Sequence, residues 1–234
     1  MKKPGALTIL GAVTNPLQIK SLVRGAWCGA GVALLAGCGG KQHAETPAPT
    51  QPLPTAGLAA QHVSLLPLTL VAAEDTLRWQ ALLADRRAVL TRADSVIGTL
   101  LKARAPEVSW ALPDELRRAA RRAPGIAPDP DQMGTAILRA PNITSVPDPL
   151  RGELRTLVAL GGNGGRYAFV PAALVFRRSG GQPGGGHVGT AELSVVLVDV
   201  RLGRVGFRTV ARGDGDDPWS ALTRAVKSLT PGLP

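Results

Sequence analysis

Residues 166–177 read Arg166-Tyr167-Ala168-Phe169-Val170-Pro171-Ala172-Ala173-Leu174-Val175-Phe176-Arg177, a long apolar run between two arginines. Glycines bound it on both sides, at 161–165 and again within 180–186. Such a run, rich in β-branched and aromatic residues and fenced by turn formers, reads as a buried strand. Two more strands follow, over 188–200 and 204–211. Between them Asp199-Val200-Arg201-Leu202-Gly203-Arg204 has the composition of a hairpin turn, with Gly203 where a positive φ is wanted. Asp216-Asp217-Pro218-Trp219 then opens a closing helix. An aspartate caps it, and Trp219, Leu222, Ala225, Val226 and Leu229 supply its buried face.

Working back from that strand, residues 150–160 predict a helix that buries Leu150, Leu154, Leu157 and Val158. Residues 142–149 and the Pro/Asp-rich stretch 124–131 predict loops, with a short helix over 132–139 between them. Pro113, followed by Asp114 and Glu115, opens another helix, which Pro124-Gly125 ends. Residues 107–112 predict a short strand. One apolar stripe through Leu82, Leu83, Val89, Leu90, Ala93, Ile97, Leu100 and Leu101 predicts a single long helix over 74–103. A first strand over 63–71 contains Pro67, which points to an edge position or a bulge. The order β-α-β-α-α-β-β-β-α predicts an α/β fold, a mixed sheet of about five strands packed with helices. Residues 62–234 form that single domain. Residues 38–61, with Pro47, Pro49, Pro52 and Pro54, predict a disordered tether with no means of building a core.

The 234 residues carry 27 Lys+Arg against 17 Asp+Glu, a formal charge of +10. A hydrophobic content of 44% excludes wholesale disorder. Two cysteines exclude a disulfide framework or a Cys-rich zinc module.

Lys2, Lys3, Lys20 and Arg24 are the only charges before Lys41, and an apolar run over 26–36 follows them. At about eleven residues it falls short of the roughly twenty that cross a bilayer. Positive flank, short apolar run and small residues after it are the marks of a secretory signal over residues 1–37. The run ends Leu35-Ala36-Gly37-Cys38, which resembles the lipobox of bacterial lipoprotein signal peptides. The resemblance implies cleavage before Cys38, a diacylglyceryl thioether on that residue and acylation of the new amino terminus. Loss of the leader would remove four positive charges and no negative one, taking the formal +10 to +6. Gly39 in place of Asp implies an outer-membrane address, with the domain in the periplasm.

Within the domain, four stretches carry a further resemblance. They are Leu65-Leu66-Pro67-Leu68, the Gly-rich turn and strand 161–171, the segment Leu197-Val198-Asp199-Val200-Arg201-Leu202-Gly203-Arg204-Val205, and the terminal helix. Together they resemble the family of bacterial envelope domains that includes the periplasmic part of the curli-secretion channel, the lipoprotein activators of penicillin-binding proteins and the N-terminal domain of the Tol translocation protein. The resemblance implies an α/β domain that is not an enzyme and that binds a partner protein or associates with itself. A subunit of a secretion or cell-wall machine, a ring former like the curli-secretion channel, is the second expectation, and an envelope hydrolase with an unfamiliar site is the third.

The residue chemistry agrees with the first. The glycines at 161–165 follow a helix and open a strand, the reverse of a phosphate loop. Asp214, Asp216 and Asp217 lack the glutamate of a calcium loop, so helix capping is expected of them. His62 and His187 have no second ligand at metal spacing, and no metal or cofactor is expected. Ser64, Ser95, Ser109, Ser194 and Ser220 lie in no nucleophile motif. Arg117, Arg118, Arg121 and Arg122, at i, i+1, i+4 and i+5, share one helix face. They are the candidate surface for anionic head groups or an acidic partner, against the plainer reading of a solvated face. Export to the envelope excludes nucleic acid from the expected partners.

Overall fold

A computed structural model describes residues 50–161, 164–179 and 188–230. The lipobox residues Leu35, Ala36 and Gly37, together with Cys38, lie outside the described residues, as does His187. The elements run α1 (Thr55–Leu58), β1 (His62–Leu65), β2 (Val71–Ala73), α2 (Arg86–Arg104), β3 (Ser109–Ala111), α3 (Pro113–Arg122), α4 (Leu150–Leu160), β4 (Tyr167–Arg178), β5 (Gly189–Asp199), β6 (Arg204–Gly215) and α5 (Pro218–Leu229). The fold is α/β, a mixed six-stranded sheet with helices on both faces. Strand order is β3-β1-β4-β5-β6, and β2 pairs with β4 farther along the edge that β1 occupies. The three short strands run parallel to their neighbours, while β4, β5 and β6 are antiparallel.

The strand at 167–178 organises both cores. Phe169 points to the face covered by α2 and α5, and Ala168 and Val170 point to the face covered by α3 and α4. The register against β5 slips between Pro171 and Ala173. Beyond that bulge, even-numbered Leu174 and Phe176 join odd-numbered Phe169 on the first face. An extra residue in one strand inverts every later side chain, because the side-chain period is two. The bulge also explains a proline in an inner strand, where an unbroken ladder would need its missing N–H.

Four expectations need correction. The segment 63–71 is two strands, not one, so the sheet has six. Leu66 N–H donates to Phe169 O at 2.9 Å, but Leu68 N–H, the next that would face β4, donates to Asp94 Oδ1 at 2.8 Å instead, so the chain leaves β4 at Pro67. Of the edge position or bulge expected from Pro67 neither is found, because the proline lies between β1 and β2 and belongs to no strand. The long helix starts at Arg86 rather than 74, capped by Asp85, which accepts from Ala88 N–H at 3.0 Å. Before it, 3₁₀ turns at Asp75–Leu77 and Gln80–Leu83 bring Leu77 and Trp79 into the core, where Trp79 meets Phe176 edge-on at 5.5 Å. Residues 132–139 form no α-helix; 3₁₀ turns lie at Pro130–Gln132 and Thr135–Arg139, with Met133 buried between them.

The fourth correction concerns the tether, since the fold reaches back to residue 50. Leu53 and Leu58, the two large apolar residues of that stretch, are both buried in the core. Leu53 N–H donates to Leu229 O at 2.8 Å, and Gln51 N–H to Thr209 Oγ1 at 3.0 Å. Thr50 Oγ1 donates to Val210 O at 3.3 Å and accepts from Arg212 N–H at 3.2 Å, so it occupies bonding groups of the edge strand β6 that would otherwise be open. Leu53→Ala is expected to cost about 2 kcal/mol in chemical denaturation, as burial of leucine in a core dictates. A leucine in a solvated linker would show no change.

Candidate functional site

The helix α3 joins two sets of residues. Its inner side buries Pro113, Leu116 and Ala119. Asp114 and Glu115 stand in its first turn and Arg121 and Arg122 in its last, both matched to the helix dipole. On the outer side Arg118, Arg121 and Arg122 are exposed.

Arg117 does not belong to that outer set, which corrects the four-arginine patch. Its guanidinium turns back into a cluster of three carboxylates. Nη2 donates to Asp94 Oδ2 at 2.6 Å and to Asp131 Oδ1 at 2.6 Å, and Nη1 donates to Asp114 Oδ1 at 2.9 Å. The side chain is 16% exposed. Arg117 thus fastens α3 to α2, through Asp94, and to the loop before Met133, through Asp131. Asp129 shapes that loop by accepting Asp131 N–H at 3.0 Å.

Asp94 is the buried member, and its other oxygen accepts Leu68 N–H at 2.8 Å. That is the first N–H after Pro67, so the aspartate closes the break where the chain leaves the sheet. Burial pushes the Asp94 carboxyl up to about 6, although the Leu68 N–H and Arg117 pull in the other direction. The carboxylates around Arg117 hold its guanidinium protonated beyond the ordinary arginine range.

Beside this cluster lies a cleft of about 360 Å³, lined by Arg117, Ala120, Arg121, Pro128, Asp129 and Asp131 among others. Its walls carry both signs of charge. Ile126, at the tip of the loop that follows α3, is 72% exposed.

The remaining predicted residues have structural roles. Asp217 caps α5 by accepting from Trp219 N–H at 2.8 Å and Ser220 N–H at 3.1 Å, and these bonds hold its carboxyl below the usual range against its partial burial. Asp199 accepts the N–H groups of Arg201 and Leu202 at 3.0 and 3.1 Å, which fixes the hairpin turn in which Gly203 has φ +67°. Arg166 pairs with the same aspartate at 2.6 Å. Asp214 accepts from Ser179 and Thr190. His62 is exposed at the start of β1. Across the sheet, Glu74, Arg177, Glu192 and Arg212 form a chain of ion pairs at 3.3, 2.9 and 3.1 Å. No group of metal-ligating side chains occurs among the described residues.

Sequence reasoning missed Asp94, Asp129 and Asp131. A signal for Asp94 existed: it stands among Ala93, Ile97 and Leu101 in the stripe that α2 buries, where an unpaired acid would be costly. Comparison with protein-family models, with curated proteins and with solved structures finds no match to this chain.

Proposed function

We propose that this chain is a lipid-anchored domain of the bacterial cell envelope that is not an enzyme, and that binds a partner protein or associates with its own kind. The observation that carries the reading is the sequence Leu35-Ala36-Gly37-Cys38, placed after a positively flanked apolar run and ahead of a compact α/β domain. The α/β fold agrees with the domain expected from the resemblance to envelope lipoprotein domains. The site chemistry supports the reading as well. Asp94, Asp114 and Asp131 close on Arg117, a structural arrangement that leaves them engaged.

Thr50, the first described residue, is already bonded to the fold, and this sets an upper bound on the tether. Eleven residues separate Cys38 from Thr50. At about 3.5 Å per extended residue they span at most roughly 40 Å. The domain then works close to the membrane, about half as far away as a tether running to residue 61 would allow.

Mass spectrometry of the protein from its native envelope tests this. The expected species begins at Cys38 and carries acyl groups there, and Cys38→Ser is expected to move the protein from the membrane fraction to the soluble one. Several acyl chains hold far better than one, so after a high-salt wash that screens surface charge the shift should be nearly complete. A free thiol at residue 38 in the native protein would end the proposal. Crosslinking in the same envelope then separates a foreign partner from self-association.

A further inference from the structure

We propose that the outer side of α3, with Ile126 beyond its end, is a docking surface for an anionic lipid bilayer. The inference does not depend on an anchor at Cys38. Three observations carry it.

The first is charge left over after pairing. Arg117 is taken up by Asp94, Asp114 and Asp131. Arg118, Arg121 and Arg122 have no carboxylate partner among the described residues. The second is direction. At 100° per residue these three arginines cover an arc opposite Leu116, the centre of the helix's buried side, so all three point away from the core. They cluster in the C-terminal half of the helix; Asp114, on the same side, stands in the first turn, where it pairs with Arg117. The third is Ile126, four residues past Arg122 and 72% exposed. Cations followed in the chain by an exposed apolar side chain suit a surface that is anionic outside and oily just beneath.

The same observations disfavour an acidic polypeptide. A peptide would be expected to seat in the adjacent cleft, whose walls carry Asp129 and Asp131. A flat layer of phosphates meets the outward tips of Arg118 and Arg122 without entering the cleft that Arg121 lines with those acids. It also gives Ile126 an apolar place to enter.

The test uses the full chain with Cys38→Ser, so that no acyl chain contributes. It is mixed at low salt with phosphatidylcholine vesicles, with and without phosphatidylglycerol. The parent is expected to prefer the anionic vesicles, and the preference to fade as salt rises. Replacing Arg118, Arg121 and Arg122 together with Ser should weaken binding to anionic vesicles roughly 100-fold, since each surface cation contributes about a factor of five. Replacing the same three with Lys should preserve binding, because a lipid surface needs charge rather than a guanidinium fork. The Lys variant also keeps the assay decisive should the Ser variant fold poorly. Ile126→Asp should weaken binding roughly tenfold. Equal binding by the Ser variant and the parent would overturn the inference, because the cations of residues 1–37 would then be responsible. Retention of poly-glutamate by the arginines, without vesicle binding, would overturn it in favour of an acidic protein.

Discussion

Arg117→Met is expected to destabilise the domain by about 3 kcal/mol at pH 7.5 to 8, and by much less near pH 4. The substitution keeps the aliphatic bulk and removes the cation. Asp94 would then be a buried carboxylate with one backbone donor and no counter-charge, the arrangement whose cost runs to several kcal/mol. The pH dependence follows from the direction of the Asp94 shift. Its folded-state pKa of about 6 lies above its ordinary value of 3.8, so the native state holds the proton more tightly than the unfolded chain does. That contribution to stability is complete below 3.8 and is lost as pH rises through about 6. Without Arg117 the folded value moves higher still, so the loss extends to higher pH and the variant falls progressively behind the parent. Denaturant titrations at the two pH values measure the difference. For a domain of this size the alkaline-side loss corresponds to roughly 6–12 °C in Tm. Adding Asp94→Asn to Arg117→Met should restore most of the stability. The amide oxygen still accepts Leu68 N–H, and no buried charge remains. A deficit that stays equal at both pH values, or no rescue by the double variant, would refute the role given to this cluster.

Gly213→Ala should be comparably damaging, for steric rather than electrostatic reasons. Helix α5 lies directly on the backbone of β6 at this point. A Cβ on Gly213 would lie inside the contact distance of Ala225 N and Arg224 C, and 2.7 Å from Ala221 O. All three are main-chain atoms of one helix, so no side chain can rotate away and the whole of α5 must shift. That displacement disturbs Leu222, Ala225, Val226 and Leu229, which are all buried in the larger core. A loss of about 3 kcal/mol is expected, at the upper end for overpacking. Gly206 in the same strand is the matched control: a Cβ there meets only Leu197 O, at 3.8 Å. Gly206→Ala should change stability by less than about 0.5 kcal/mol. Thermal melts of the two variants side by side decide the matter, and equal losses would argue against close packing of α5.

Where the chain makes local rules agree, its structure is legible without coordinates. The helices at 113–122, 150–160 and 218–229 each begin at proline or beside one and carry a clear apolar side, and they form where those signals stand. The strands from 167 onward are fenced by glycine and joined by a turn in which Gly203 takes the positive φ that its neighbours would resist. Local rules failed where distant contacts decide the outcome. Residues 75–83 have helical spacing, yet Leu77 and Trp79 are drawn onto the sheet, and a tight 3₁₀ path delivers them there. Leu53 and Leu58 sit among prolines in a stretch composed like a tether, and only the assembled core gives them somewhere to go. The Arg117 cluster is the same lesson in charge. Four arginines in a row look alike on a helix, and only Asp94 and Asp131, 23 and 14 residues away, single one of them out.

The clip at residues 50–53 also determines how the domain would bear a load. Tension applied upstream of Thr50 is met at the bonds of Thr50 to Val210 and Arg212, of Gln51 to Thr209 and of Leu53 to Leu229. Those bonds join the incoming segment to β6 and to the end of α5, the last two described elements. The first and last parts of the domain are therefore fastened to each other, and a tug on the leader is resisted at that seam while the centre of the sheet stays slack.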